Sequence, residues 1–162
     1  MPDCMKGLVE SGLVDTVREV MRDRPFLGIC LGLQMLFDDS EEGPTDGLGA
    51  LPGHVVRFRD ERMVLADGTR LKVPHMGWSR VHPTRPHALW AGIEDGARFY
   101  FAHSYHPVPA DPAVIAATVD YPAPFTCAIA RANIFATQFH PEKSQRAGLA
   151  LLANFVDWDG RG

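Results

Sequence analysis

Apolar runs separated by polar turns divide the chain into segments with either helical or strand-like spacing. Between residues 13 and 22 the apolar positions recur every three or four residues, which predicts an amphipathic helix that Pro25 closes. The run "PFLGI" that follows predicts a short buried strand, and "LGLQMLF" returns to helical spacing. Strand-like runs then dominate, among them "HVVRF", "RFYFAHSY" and "VIAATV". The order of these elements predicts an α/β fold with antiparallel additions.

The last third of the chain predicts a hairpin and a closing helix. Two apolar runs, "TCAIAR" and "IFATQF", flank Ala132-Asn133, which suggests that they pair across a turn. The last helix is expected to begin at Ser144, which would serve as its N-cap. Its buried face is expected to carry four apolar residues, Leu149, Leu152, Phe155 and Val156.

Composition and charge narrow the possible classes of protein. The 162 residues carry a net charge of −4 and are 46% hydrophobic, which fits one globular domain over residues 1–162. Basic residues are mixed with acidic ones, so the sequence has no electrostatic footprint for nucleic acid or an anionic membrane. No apolar run approaches the roughly 20 residues that a membrane helix needs. The three cysteines, Cys4, Cys30 and Cys127, do not indicate a disulfide framework, so we expect a cytoplasmic protein with reduced thiols.

A glycine-flanked cysteine between the predicted strand and helix is the first candidate for chemistry. Gly28 and Gly32 lie two residues to either side of Cys30. A nucleophile on a tight turn needs small neighbours, and glycines have no side chain to collide with the turn. The amide dipoles of the following helix would favour the thiolate. Close packing of a helix on a strand gives the same glycine spacing, and free cysteines are often core residues. The spacing alone therefore leaves both interpretations open.

A second candidate group follows an apolar strand far downstream, in "TQFHPEKS". A thiol nucleophile needs a base, and His140 could supply it. Glu142 projects to the same side if the segment is extended, where it could fix the imidazole tautomer. A surface histidine at a strand end, followed by a glutamate that caps the next helix, explains the pattern equally well.

The motifs together resemble a known family. "GICLGLQ" followed by "QFHPEKS" is similar to the class I glutamine amidotransferases. The segments "KVPHMGW" and "FYFAHSY" between them resemble the glutaminase subunits of imidazole glycerol phosphate synthase, from histidine biosynthesis. The resemblance runs from about Met5 to Trp158. It implies a three-layer α/β sandwich with a mixed sheet, hydrolysis of glutamine to glutamate and ammonia, and no cofactor or metal.

The resemblance also implies roles for individual residues. Cys30 matches the nucleophile, His140 the general base and acid, and Glu142 the residue that orients His140. Four further residues match positions that hold the substrate glutamine: Gln34, Glu42, Ser104 and Tyr105. Simpler interpretations stay open for three of these four, as a helix-surface amide (Gln34), a solvated loop acid (Glu42) and a core aromatic (Tyr105).

The family acts with a partner, a cyclase subunit built as a (β/α)8 barrel, in a heterodimer. Ammonia passes to it without entering solvent, and imidazole glycerol phosphate and an aminoimidazole carboxamide ribotide are formed there. Because "PHMGW" and "FYF" resemble the face docked on that barrel, four residues are expected at the interface: Met76, Trp78, Tyr100 and Lys143. The alternative is that Trp78 and Tyr100 fill a core.

Histidines at 75, 103 and 140 suggest a metal site as a further possibility. No cysteine or carboxylate falls at metal-ligand spacing beside His75 and His103, so the sequence disfavours that interpretation.

The chain departs from the family at its beginning. Relatives start with a strand bearing an "I-D-Y-G-x-G-N"-like turn, and a later "P-G-V-G" turn places a backbone N–H over the forming oxyanion; neither motif occurs here. The expected fold is therefore the family sandwich lacking its N-terminal β-α-β portion, with Met1 an internal methionine of a longer protein. Loss of one oxyanion donor costs about 100- to 1,000-fold in rate. The first alternative to an active glutaminase subunit is therefore a catalytically impaired partner-binding subunit. The second is a stand-alone cysteine hydrolase of γ-glutamyl amides built on the same cysteine turn, although "PHMGW" and "EKS" argue against it.

Overall fold

Four α-helices and eleven strands form the part of the chain that the computed structural model describes, residues 1–161 apart from 60, 62 and 66. The helices are α1 (Pro2–Glu10), α2 (Val14–Asp23), α3 (Leu31–Gln34) and α4 (Gln145–Asp157). The strands are β1 (Phe26–Ile29), β2 (Asp39–Ser40), β3 (Thr45–Asp46), β4 (Gly53–Arg57), β5 (His75–Arg80), β6 (His82–Pro83), β7 (Arg98–His103), β8 (Tyr105–Pro109), β9 (Ile115–Asp120), β10 (Pro124–Arg131) and β11 (Ile134–Thr137). Within this part of the chain, helices are too short or too polar to cross a membrane.

A mixed five-stranded sheet, in the order β1-β11-β10-β9-β6, lies at the centre. Only its β1–β11 pair is parallel, and the other pairs run antiparallel. A second sheet has the order β3-β2-β4-β8, and β5 and β7 form an antiparallel pair of their own. The prediction of an α/β fold with antiparallel additions is confirmed.

Each face of the central sheet covers its own hydrophobic core. Along β10, Ala128 and Ala130 belong to one core and Ile129, between them, belongs to the other, as the two-residue period of a strand requires. The first core also contains Leu151 of α4, and the second contains Met21 of α2. Helices therefore cover both faces, which gives the layering expected from the sequence.

The hairpin predicted around Ala132-Asn133 is confirmed. Strands β10 and β11 pair antiparallel up to Arg131 and Ile134, and the two residues between them make the turn. Ala132 adopts a φ of 50°, in the left-handed region. Asn133 donates its side-chain amide to the carbonyl of Met21 at 3.0 Å, which joins the turn to α2.

The buried face of α4 is only partly the predicted one: Phe155 packs against the first core and Leu152 is half-buried. Leu149 and Val156 are 63% and 81% exposed, whereas Leu151 is fully buried. The inward face also carries Gly148, and a Cβ placed there would lie 1.8 Å from the carbonyl oxygen of Pro141. This close approach rotates the helix away from the face that the large apolar residues alone predict. The sequence pattern did not predict this orientation, because a glycine has no apolar side chain to mark the buried face of a helix.

Replacing Leu151 with alanine is expected to lower the free energy of unfolding by about 2–5 kcal/mol, because it leaves a cavity in a closed core. Leu149→Ala is the matched control on the same helix, with an expected change within about 0.5 kcal/mol. Urea denaturation followed by circular dichroism measures both. Equal losses in the two variants would contradict the observed orientation of α4.

Candidate active site

Parallel pairing of β1 with β11 brings the two candidate groups to one end of the sheet. The pairing ends with Ile29 opposite Thr137, so Cys30 and His140 both follow the carboxyl ends of neighbouring strands. The Cys30 N–H donates to the Thr137 carbonyl at 2.8 Å and continues the ladder by one bond. The carboxyl end of parallel strands is where open α/β sheets place their ligand sites.

Cys30 lies on a strained turn between β1 and α3. Its φ of 51° and ψ of −102° are unusual for a residue with a side chain. A Cβ at Gly28 would lie 2.8 Å from the carbonyl oxygen of Gly32 and 3.0 Å from Cβ of Ala136, so only glycine fits there. A Cβ at Gly32 would meet nothing within 4 Å. The predicted steric requirement is therefore confirmed at Gly28 and wrong at Gly32.

The sulfur of Cys30 is half-buried, and burial raises the pKa of its thiol above the ordinary value. Hydrogen bonds from the Leu31 N–H and from the Gln138 side chain oppose this shift but do not outweigh it. The Glu142 carboxylate raises the pKa of the thiol further, while the Lys143 ammonium lowers it. The first amide of α3 thus favours the thiolate, as expected, but the helix has only four residues and desolvation outweighs its effect.

His140 and Glu142 form a hydrogen-bonded pair. The imidazole Nδ1 lies 2.7 Å from Oε1 of Glu142, so Nδ1 carries the proton and Nε2 is left to exchange protons. The contact forms within a 3-10 turn, Pro141–Lys143, and not within the extended segment expected from the sequence. No hydrogen bond joins the Cys30 sulfur to His140 in this arrangement of the described residues. Such contacts often tighten only when a substrate is bound.

Ser144 fixes the backbone of His140, a role that the sequence did not reveal. Its buried hydroxyl donates to the His140 carbonyl at 2.6 Å and accepts the Tyr100 N–H at 2.9 Å. The His140 N–H in turn donates to the Tyr100 carbonyl at 2.9 Å. Ser144 occupies the N-cap position of α4 as predicted, but its side chain makes no capping hydrogen bond. A serine four residues after a candidate base can bond back to its carbonyl, which was the available signal.

Two buried glutamines lie between Cys30 and β8. Gln34 is 2% exposed, and its Nε2 donates to the Tyr105 carbonyl at 3.1 Å and to Oε1 of Gln138 at 3.2 Å. Nε2 of Gln138 lies 3.8 Å from the Cys30 sulfur. Gln34 is therefore not the surface amide that was one interpretation of it. Gln138 was not singled out from the sequence, although a polar residue inside the apolar run "IFATQF" was a signal.

The remaining predicted substrate residues occupy different surroundings. The Tyr105 carbonyl contacts Gln34, whereas the Ser104 carbonyl accepts the Phe58 N–H at 3.0 Å. Glu42, between β2 and β3, pairs its carboxylate with the α-ammonium of Met1. The hydrogen bonds recorded for Ser104 and Glu42 thus do not connect them to Cys30.

Four exposed or half-exposed side chains lie beside the His140 turn. Trp78 on β5 is directly opposite Tyr100 on β7, with ring centroids 5.9 Å apart. Met76 is 65% exposed and Trp78 is 43% exposed, so neither fills a core. Lys143 is exposed in the 3-10 turn, and an isolated antiparallel bridge joins Tyr100 to His140. The residues predicted for the interface therefore border the candidate catalytic turn.

The histidines do not converge on a metal. His75 Nδ1 lies 3.1 Å from His103 Nε2, while His140 pairs with Glu142. Over the described residues, no group of three or more His, Cys, Asp or Glu side chains is placed to hold a metal ion.

Gly28→Ala is expected to lower the free energy of unfolding by about 1–3 kcal/mol, because the new methyl group collides with backbone atoms that cannot move aside. Gly32→Ala is the matched control and should cost no stability, since its methyl group enters open space. Urea denaturation of both variants measures the difference. A Gly28→Ala variant as stable as the wild type would contradict the tight turn.

Comparison with known proteins identifies the family. Residues 8–158 match the family model of glutamine amidotransferase class-I. The imidazole glycerol phosphate synthase subunit HisH of Aromatoleum aromaticum is 61% identical over 158 residues, which cover 98% of this chain and 74% of that protein. The subunit of the same name from Chromobacterium violaceum is 59% identical over 160 residues, covering 99% and 74%.

Solved structures share the fold at much lower identity. A glutamine amidotransferase from Thermotoga maritima aligns with a TM-score of 0.58 and 18% identity, over 91% of this chain and 54% of its own. Another crystal structure of a glutamine amidotransferase aligns with a TM-score of 0.61 and 19% identity, over 93% and 72%. The structural matches bear on the fold alone. On the family match and the close relatives, the chain belongs to the class-I glutamine amidotransferases, among the HisH subunits of imidazole glycerol phosphate synthase.

Proposed function

We propose that this chain hydrolyses L-glutamine to glutamate and ammonia with Cys30 as the nucleophile. One observation carries the assignment of the residues: a cysteine on a strained turn shares a sheet end with a histidine–carboxylate pair. The reaction class follows from the family, because the chain is a glutaminase subunit of imidazole glycerol phosphate synthase and serves histidine biosynthesis.

Proton transfer by His140 is central to the proposed mechanism, because burial raises the pKa of the Cys30 thiol. His140 takes the thiol proton as the sulfur adds to the side-chain amide carbon of glutamine. The proton then passes to the departing nitrogen, so that ammonia leaves and a thioester remains. Water attacks the thioester while His140 accepts its proton, and return of that proton to the sulfur releases glutamate. Glu142 holds Nδ1–H throughout, which reserves Nε2 for these transfers.

The proposed substrate site combines an acceptor amide with a carboxylate. The Nε2 group of Gln34 donates to two protein oxygens, while its buried Oε1 has no partner among the described residues. That oxygen can only accept, which suits an N–H group of glutamine. Glu42 carries a carboxylate, which suits the substrate's α-ammonium. Tyr105, whose carbonyl contacts Gln34, and its neighbour Ser104 complete the proposed set.

The proposed partner is the cyclase subunit, which would form a heterodimer with this chain in the cytoplasm and receive the ammonia directly. The proposed docking face consists of Met76, Trp78, Tyr100 and Lys143. The Trp78–Tyr100 ring pair, in which Trp78 is exposed, supports this docking face. Tryptophan and tyrosine are enriched among the residues that contribute most of the binding energy at protein–protein interfaces. The closeness of this face to His140, through the bridge at Tyr100, suits transfer of a product between the two subunits.

Cys30→Ala is expected to abolish glutamate release. Glu142→Gln is expected to lower kcat by about 100- to 10,000-fold, because the glutamine amide can donate to Nδ1 and so hold the wrong tautomer of His140. A coupled glutamate assay, run with and without the cyclase subunit, measures both. Cys4→Ala removes an exposed thiol and is the matched control, with activity unchanged. If the wild type binds the cyclase subunit but releases no glutamate with it, the chain is the impaired partner-binding subunit instead.

Trp78→Ala is expected to raise the Kd for the cyclase subunit by at least about 10-fold, as loss of an aromatic anchor does. Isothermal titration calorimetry measures the change. Val156→Ala, at an 81% exposed apolar position on α4, is the control and should leave the Kd unchanged. An equal Kd for the Trp78 variant and the wild type would refute the proposed docking face.

A further inference from the structure

A buried histidine pair lies outside the proposed catalytic steps. His75 on β5 and His103 at the end of β7 are opposite each other in the strand register and are 2% and 6% exposed. His75 is stacked between Phe101 and Tyr121, with centroids 4.6 Å and 3.8 Å away. Burial lowers the pKa of His75 to about 4 and that of His103 to about 3. Both rings are therefore neutral at neutral pH, and each carries one ring proton.

The neighbours of the pair fix which nitrogen carries each proton. Nδ1 of His103 lies 2.7 Å from the Tyr105 carbonyl, which can only accept, so the proton of His103 is on Nδ1. Nε2 of His103 must then accept from Nδ1–H of His75 at 3.1 Å. This leaves Nε2 of His75 as an acceptor for the Ser79 hydroxyl at 2.9 Å. One proton arrangement satisfies all three contacts.

The same line of hydrogen bonds continues to the nucleophile. The Tyr105 carbonyl also accepts from Nε2 of Gln34, which donates in addition to Oε1 of Gln138. Nε2 of Gln138 then points at the Cys30 sulfur. Six hydrogen bonds thus join Ser79 to Cys30, and every one of them pairs a donor with an acceptor.

The chain of hydrogen bonds begins on the strand that carries the proposed docking face. His75 and Ser79 lie on the inner side of β5, while Met76 and Trp78 project outward. Gly77 between them has a φ of 137°, which a glycine adopts without steric strain and which lets the strand bend. On this inner side the Ser79 hydroxyl lies 2.9 Å from Nε2 of His75, four residues away.

We propose that Ser79, His75 and His103 are positioning residues that hold the Gln34–Gln138 amide pair against Cys30. They do not contact the sulfur, and they act through His103, which fixes the Tyr105 carbonyl to which Gln34 is bound. A fully satisfied buried network allows one arrangement of its members, because a misplaced donor would leave a buried polar atom unpaired. The proposal rests on the proposed function only in taking Cys30 as the reactive thiol.

The first test is the proton position in the wild-type chain. A nitrogen-15 spectrum of the histidine rings at neutral pH should show His75 and His103 as single neutral tautomers, each with the proton on Nδ1. Assignment uses the variants His75→Gln and His103→Gln. A proton on Nε2 of either ring would overturn the proposal before any variant is assayed.

The second test follows a change at Ser79 to Cys30. In a Cys4→Ser background, the rate of iodoacetamide modification of Cys30 is measured by mass spectrometry, with the buried Cys127 unreactive. Ser79→Ala should slow modification by about 2- to 10-fold, the range expected for one lost hydrogen bond, and should give His75 mixed tautomers. Ser79→Thr keeps the hydroxyl and should restore both values.

The control removes a comparable hydroxyl elsewhere. Ser11→Ala loses one hydrogen bond to the Leu8 carbonyl on an exposed turn and should leave the rate and the spectrum unchanged. An unchanged rate in Ser79→Ala, or a Ser79→Thr variant as slow as Ser79→Ala, would refute the positioning role. Neither readout needs glutamine turnover, so these results stand apart from success or failure of the proposed glutaminase activity.

Discussion

Parallel pairing of β1 with β11 is the constraint on which the candidate site depends. Two segments far apart in the sequence meet there, and each leaves the sheet at the same end. Had the two strands run antiparallel, Cys30 and His140 would lie at opposite ends of the sheet. The hydrogen bond from the Cys30 N–H to the Thr137 carbonyl extends this pairing into the strained turn itself. The hairpin between β10 and β11 then anchors the histidine side of the site in the core.

Burial sets the resting protonation of the site. It raises the pKa of the Cys30 thiol and lowers the pKa of His75 and His103, so these groups are all uncharged in the folded chain at neutral pH. A buried charge would cost more than a buried neutral group with hydrogen-bond partners. The site therefore holds an uncharged thiol, and its reactivity depends on a base that becomes effective when substrate arrives.

Local patterns in the sequence were enough to predict the strand and helix that flank Cys30, the hairpin and the α/β class, because each depends on neighbouring residues. They also located the His140–Glu142 pair, although the segment is a 3-10 turn and not extended. Gln138 and Ser144 were harder to recognise, because the Gln138 side chain meets Cys30 and Gln34, and Ser144 meets Tyr100, all of them distant in the sequence. The orientation of α4 was missed for a related reason, since it depends on how closely the backbone at Gly148 approaches another segment.

That close approach has a consequence for how the chain tolerates change. Gly148 lies on a helix without any group in the proposed chemistry, yet its Cα faces the carbonyl of Pro141, one residue after His140 and one before Glu142. Any larger residue there would have to displace either the helix or the catalytic turn. In a saturation mutagenesis screen for activity, substitutions at position 148 would therefore lower activity as substitutions in the active site do. The screen would identify Gly148 as important although it does not contact the substrate.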